Sequence, residues 1–375
     1  MVERMTGLTV VGFVLGLLGC VFVVVTAVGW LRTFVHRVPP AHGDGELAAE
    51  LDLLAGRRTR RLAAAVIDPG MGVRMAFIGA DKDTRFELGS ITKGFTGMLL
   101  AEAVRRGEVS LRSTVADVSP DTTVNPVGSV TLQELCTHTS GLPRLPRTSG
   151  MAARAIRSAW LGTDPYRGLT PTAVLEQAKR QRLSHRGQQR YSNLGAALLG
   201  QVLAHTAGSD YATLLTDRIC APIGMRATHP AGSGYVAPRG WTAAGRRAQP
   251  WIMDGYAPAG GLVSTVADLT LLATALLDGT APGQAALKPV GGFLPEQPEQ
   301  TSGMFWVIDS MPGNGHGRGR IRVWHNGQTG GYSAFLALYP QTRRAVIVLS
   351  NLAHPAEQQH VASELTRWID RTAQP

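Results

Sequence analysis

The sequence predicts an α+β fold: an antiparallel sheet flanked by helices, with a helical subdomain inserted at about 108–280, behind an N-terminal transmembrane helix. Three observations carry this. Strand-like apolar runs lie towards both ends of the chain, the middle is rich in helix start and stop signals, and residues 6–31 carry no charge. With 375 residues and 44% hydrophobic content, the chain buries a large core, as one large domain or two interleaved subdomains.

The elements follow in order. Residues 1–5 form a short tail. The stretch "TGLTVVGFVLGLLGCVFVVVTAVGWL" (6–31) is long enough to cross a hydrocarbon core of about 30 Å as a helix, with Trp30 as an interfacial anchor. "LLGC" at 17–20 resembles a lipoprotein cleavage box, but the apolar run continues well past Cys20, so an uncleaved anchor is expected. Arg4 on one side and Arg32 and Arg37 on the other give a weak preference for a cytoplasmic body. "RTFVHRVPPAHGDG" (32–45) has the proline and glycine content of a linker, and the folded domain is expected over 46–375.

That domain opens with a short amphipathic helix from about Glu46 to Leu54. "RLAAAVID" and "GVRMAFIGA" then read as two strands joined by the turn "PGM". Phe95 to Arg106 reads as a buried helix. In "TLQELCTHTSG", Thr131 and Glu134 stand at capping-box spacing, and the helix is expected to stop at Gly141. "TPTAVLEQAKRQ" has Thr170 as cap and Pro171 at the first helical position. "STVADLTLLATALLDG" repeats the cap spacing at Thr265 and Asp268 and ends at Gly279. Strands return with "GMFWVID", "RIRVWHNG", "YSAFLALYP" and "RAVIVLSN", before a final amphipathic helix at about 355–370.

Composition excludes several function classes. The net charge of +10 and pI near 10.1 come from scattered arginines, with no helix-turn-helix, zinc-finger or RNA-binding signature, so no nucleic-acid partner is expected. Cys20, Cys136 and Cys220 show neither zinc spacing nor a disulfide framework and read as free, buried thiols, with a Cys136–Cys220 bridge left open as the alternative. "PGNGHGRG" (312–319) lacks a GK[ST] ending and reads as a hairpin tip rather than a phosphate loop. His316, His354 and His360 lack metal-ligand spacing, so no metal or other cofactor is expected.

The chemistry concentrates around "FELGSITKGFTG" (86–97). The chain has only four lysines, Lys82, Lys93, Lys179 and Lys288, yet one of them follows Ser90 by three positions. On a helix that spacing puts hydroxyl and amine on one face. Alone, S-x-x-K reads equally as a serine cap beside a solvated lysine. Three further segments join it: "RYSNLG" with Tyr191 and Asn193 on alternate positions, "WHNGQTGGY" with His325 and Gly327 at a strand end, and "LCTHTSGLP" at a helix end.

Together these motifs, with "AGGLVSTVADL", resemble in order and spacing the serine β-lactamase and D-alanyl-D-alanine peptidase superfamily. The branch is that of class C β-lactamases, streptomycete-type carboxypeptidases and related esterases, and the similarity runs from about 60 to 352. The resemblance implies a β-lactamase/transpeptidase-like fold and an acyl-enzyme on Ser90. Lys93 would be a desolvated proton acceptor, a role closed to arginine, which stays protonated in proteins. Tyr191 would be a second proton carrier, and Asn193 would donate to a substrate amide carbonyl. His325 stands in place of the lysine of a K-T-G strand, with part-time positive charge near pH 6.5. The Ser90 and Gln328 N–H groups would form the oxyanion hole. His138 and the Gly260-Gly261 turn read as structural.

Segment 144–170 matches no family motif and is expected to shape the cleft, with arginines that are candidates to meet a carboxylate. The implied substrates are cell-wall peptides, β-lactams or esters. They place the body outside the cytoplasm and override the weak charge count. A D-Ala-D-Ala carboxypeptidase-like peptidase is the leading expectation, ahead of an esterase, a class C-like β-lactamase or a catalytically silent penicillin-binding sensor.

Overall fold

The computed structural model describes residues 38–232, 237–291, 300–311 and 320–372. The expected tail 1–5, the anchor 6–31 and the glycine-dense segment 312–319 lie outside the described residues. Among the described residues no helix is long and apolar enough to cross a membrane.

The chain enters through β1 (Ala41–Gly43), α1 (Gly45–Leu54) and the hairpin of β2 (Leu62–Asp68) and β3 (Gly72–Ile78). The two-residue β4 (Phe86–Glu87) leads almost directly into α2 (Ile91–Arg105). The helical region contributes α3 (Leu132–Cys136), α4 (Ser149–Leu161), α5 (Pro171–Lys179) and α6 (Asn193–Thr206). Short strands β5 (His229–Pro230), β6 (Trp241–Thr242) and β7 (Leu262–Ser264) precede α7 (Val266–Asp278). The chain closes with β8 (Gln300–Ser302), β9 (Val307–Met311), β10 (Arg320–Gln328), β11 (Ser333–Tyr339), β12 (Arg344–Ser350), β13 (Leu352–Ala353) and α8 (Pro355–Thr372).

The main sheet has the order β1-β3-β2-β12-β11-β10-β9-β8 and is antiparallel throughout. Strands from both ends meet at β2 and β12, where Val66 lies opposite Val346. This sheet is covered on both faces, which is why its central strands read as unbroken apolar runs. In β2, Ala63, Ala65 and Ile67 face the core around α2, α6 and α7, while Leu62, Ala64 and Val66 face α1 and α8. On α8 the buried residues Val361, Ala362, Leu365, Trp368 and Ile369 recur at helical spacing and seal the second face. Each buried leucine or isoleucine there contributes about 1.5–3 kcal/mol.

The predicted caps form. The Thr131 hydroxyl accepts from the Glu134 N–H and the Glu134 carboxylate accepts from the Thr131 N–H; Thr170 and Thr265 cap α5 and α7. α3 nevertheless ends at Cys136, short of Gly141, because His138 turns to φ 61°.

Four more expectations are corrected. The linker of 32–45 is not all linker: residues 41–43 form β1 on the sheet edge, and Asp44 caps α1 by accepting from Leu47 N–H at 3.1 Å. A three-residue strand held by backbone pairing leaves no periodicity to read. The helix predicted from Phe95 begins at Ile91, with Ser90 at its cap position. "GMFWVID" becomes strand only from Val307; before it Phe305 adopts φ 66° and its N–H donates to Cys136 O at 2.8 Å. Lastly, the helical insertion is not purely helical, for β5 and β7 join β4 in a three-stranded sheet and β6 pairs with β13. Cys136 and Cys220 are free and buried.

Packing of α2 depends on missing side chains. A Cβ at Gly97 would stand 2.0 Å from Met304 O, and one at Gly94 would stand 2.7 Å from the Trp306 ring. The helix therefore lies directly on the segment that feeds β9.

Candidate active site

β4 holds the start of α2 in place. Phe86 and Glu87 pair with Ser264 and Val263 of β7, and Leu88 N–H donates to Leu262 O at 2.8 Å. Gly89 then turns at φ 51°, so close to β10 that a Cβ would sit 2.5 Å from Gln328 N. Gly327 makes the reciprocal approach: its Cβ would fall 1.8 Å from Leu88 O and 2.9 Å from Ser90 N. Only glycine fits at either point. The contact sets the end of β10 against the first residue of the helix.

Ser90 is half-buried, and two side chains converge on its hydroxyl. Lys93 Nζ lies 3.2 Å from Ser90 Oγ, and the Tyr191 O–H donates to Ser90 Oγ at 2.5 Å. Lys93 is fully buried, and its one other hydrogen bond among the described residues goes to Ala259 O, at 2.5 Å. Burial, reinforced by the nearby Arg144 charge, pushes the amine well below its ordinary value. With one N–H given to Ala259, the lone pair of a neutral amine is available to Ser90. Tyr191 is pushed up to about 12, chiefly by burial, and so remains a neutral phenol able to donate.

The loop before α6 places Tyr191 and Asn193. Ser192 caps the helix by accepting from Gly195 N–H at 2.9 Å and donates to Pro143 O at 2.8 Å. His138 ties this loop down: its Nδ1 accepts from Ser192 N–H at 3.2 Å and its ring centroid lies 4.6 Å from that of Tyr191. Burial holds His138 neutral, in keeping with a structural part. The Asn193 Nδ2 donates to Tyr166 Oη at 2.9 Å, while the buried Oδ1 has no partner among the described residues. Turning the amide over lets the Tyr166 O–H donate to Oδ1 and frees the N–H₂.

His325 departs from expectation. It is buried on the face of β10 that it shares with Val323 and Gly327, towards α2 and Lys93, while Asn326, Gly327 and Gln328 form the cleft wall. Burial first, and the Lys93 charge second, lower its pKa to about 4. The expected part-time charge near pH 6.5 is therefore absent. Its Nδ1 lies 2.6 Å from Asn326 O, an acceptor, which assigns the ring proton to Nδ1 and leaves Nε2 an acceptor.

Gln328 contributes its backbone. Thr329 N–H donates to Tyr332 O at 3.0 Å, so the alternation of the ladder turns the Gln328 N–H away from β11, towards Gly89 and Ser90. The Ser90 N–H has no acceptor among the described residues. Two N–H groups thus stand open beside the hydroxyl.

The cleft measures about 620 Å³. Ser90, Tyr191, Asn193, Gly327 and Gln328 come together on its wall, with Lys93 beneath. Arg144 and Tyr166 line the cleft from segment 144–170, as expected of that segment, although no motif singled out either residue; Trp251, outside it, was missed. Also missed was Ala259, whose contribution is a carbonyl without any residue signature. Beneath the wall lies Glu87, which accepts from Trp251 N–H at 3.1 Å and is pushed by burial to about 8. A charged residue between two apolar neighbours in "FEL" was the one signal for it. A larger cavity of about 710 Å³ runs along α6 among Pro171, Leu198 and Tyr211, apart from Ser90 and its partners.

A sequence profile of the beta-lactamase family matches residues 48–367. The chain belongs to the beta-lactamase family. The family's α+β fold is the one described above, and the chain spans about half the length of the first curated relatives it matches. The chain is 28% identical over 190 residues to the D-alanyl-D-alanine-carboxypeptidase/endopeptidase AmpH of Escherichia coli K12; the match spans 50% of this chain and 46% of that protein. Penicillin-binding protein 4 of Amycolatopsis lactamdurans is 27% identical over 347 residues, spanning 86% of this chain and 82% of the relative. The class C beta-lactamase of Rhodobacter sphaeroides superposes with a TM-score of 0.70 at 22% identity, covering 86% of this chain and 99% of that one. That likeness is one of fold.

Proposed function

We propose that this beta-lactamase-family hydrolase acylates Ser90 and acts as a D-Ala-D-Ala carboxypeptidase-like peptidase held at the outer face of a membrane by residues 6–31. The observation that carries the reading is the double contact on Ser90 Oγ, from a buried Lys93 and a neutral Tyr191. Lys93 takes the hydroxyl proton as Oγ attacks the substrate carbonyl, and the oxyanion forms against the N–H groups of Ser90 and Gln328. Tyr191 passes its proton to the leaving nitrogen and is recharged from the Lys93 ammonium. The C–N bond breaks, the amine departs neutral, and the acyl group remains on Ser90. Water then releases it. Asn193, with its amide turned over, holds the acyl-side carbonyl.

The names of AmpH and penicillin-binding protein 4 support the peptide reading over an ester one. No aspartate or glutamate lines the cleft among the described residues, which favours slow deacylation. Incubation with penicillin is expected to add the mass of one penicillin to the peptide carrying Ser90, for minutes or longer, and Ser90→Ala is expected to abolish it. Rapid hydrolysis without an adduct would move the assignment to β-lactamase. Cleavage of esters alone would move it to esterase, and an adduct elsewhere would overturn the site.

A further inference from the structure

Arg144 is the one charged side chain lining the cleft among the described residues. It is exposed, and its guanidinium has no ion pair or hydrogen bond among them. Its neighbours are engaged: Arg147 donates to Ser184 Oγ at 3.1 Å and Arg154 to Arg167 O at 2.8 Å. Arg144 is nevertheless firmly mounted. Its carbonyl accepts from Asn193 N–H at 3.1 Å and Leu194 N–H at 3.4 Å, so it caps the helix that begins with the site's asparagine. The guanidinium carbon lies 5.3 Å from the Tyr191 ring centroid, and the hydroxyl of that ring touches Ser90. An unpaired guanidinium on a firmly held backbone beside Ser90, in a cleft without acids among the described residues, presents bidentate donors to an anion.

We propose that Arg144 is a specificity-determining residue that binds a carboxylate of the substrate near the scissile bond. This rests on Ser90 being the nucleophile. A peptide with a free C-terminal carboxylate is then preferred to its amide, whose neutral end cannot pair with the guanidinium. The cation also lies near Lys93 and lowers its proton affinity. A test must separate recognition from tuning of the base.

Full-length protein is labelled with a neutral fluorophosphonate, and an N-acyl-D-Ala-D-Ala peptide and its C-terminal amide compete for Ser90. In wild type the acid is expected to protect at concentrations roughly ten- to hundredfold below those of the amide. Arg144→Gln is expected to bring the two together, and Arg144→Lys to retain part of the preference. The preference is a ratio within each variant, so general slowing of labelling does not imitate it. Equal protection in wild type, or a preference that survives in Arg144→Gln, would overturn the assignment while leaving the Ser90 reading intact. Absence of label on Ser90 in wild type would instead remove the nucleophile reading, and this inference with it.

Discussion

At Lys93, replacement by arginine keeps a cation but removes the capacity to accept a proton. Acylation by a neutral ester is expected to fall by about 10²–10⁴-fold, measured as the rate of Ser90 modification. In wild type that rate is expected to level off below the ordinary lysine value of 10.5, because burial favours the neutral amine. The sign follows from the role: the amine works when unprotonated, so activity falls as pH drops through its lowered pKa. A rate that climbs through pH 10 would remove Lys93 as the acceptor. Ser90, Lys93, Tyr191 and Asn193 were legible because short motifs hold them at fixed spacing, with lysine scarce along the chain. The charge state of His325 was not, since depth of burial depends on what packs over β10.

Elements impose a different kind of constraint. α2 reaches the sheet through glycines, so Gly97→Ala must displace the Met304 carbonyl or the helix. It is expected to destabilise by about 1–3 kcal/mol in urea unfolding. Gly150, in α4, has open space where a methyl would stand, with no atom within 4 Å, and Gly150→Ala is expected to stabilise by about 0.4–1 kcal/mol. Equal effects at the two positions would refute the packing argument. The doubly buried strands and α8 were readable from periodicity, as were the helices capped by Thr131, Thr170 and Thr265, whereas α4 and α6, capped by Thr148 and Ser192, were not read as helices. β1, β5 and β6 were not: strands of two or three residues take their identity from a partner far along the chain.

For the molecule as a whole, the uncharged stretch and the folded body make separable contributions. Full-length protein is expected to stay with the membrane pellet through a high-salt wash, while a chain beginning at Val38 is expected in the soluble fraction. Release by salt would remove the anchor, and failure of an external protease to reach the body in intact cells would reverse the orientation. Both ends of the chain were legible as partners in one sheet because each carries apolar runs too long for a one-sided surface.

That shared sheet also orders events in time. A chain made from its amino end presents β2 with one edge bare, and the strand that covers it, β12, is synthesised near the end. Pairings of such span form slowly, and an uncovered edge is open to other chains in the interval. The cleft obeys the same schedule. Tyr191 joins Ser90 across 101 positions and Ala259 joins Lys93 across 166, while Gln328 arrives later still. A half-made chain therefore carries the serine and lysine side by side with only one of the two N–H groups that face the hydroxyl. The topology that delays folding withholds the second donor from the proposed nucleophile until β10 is in place.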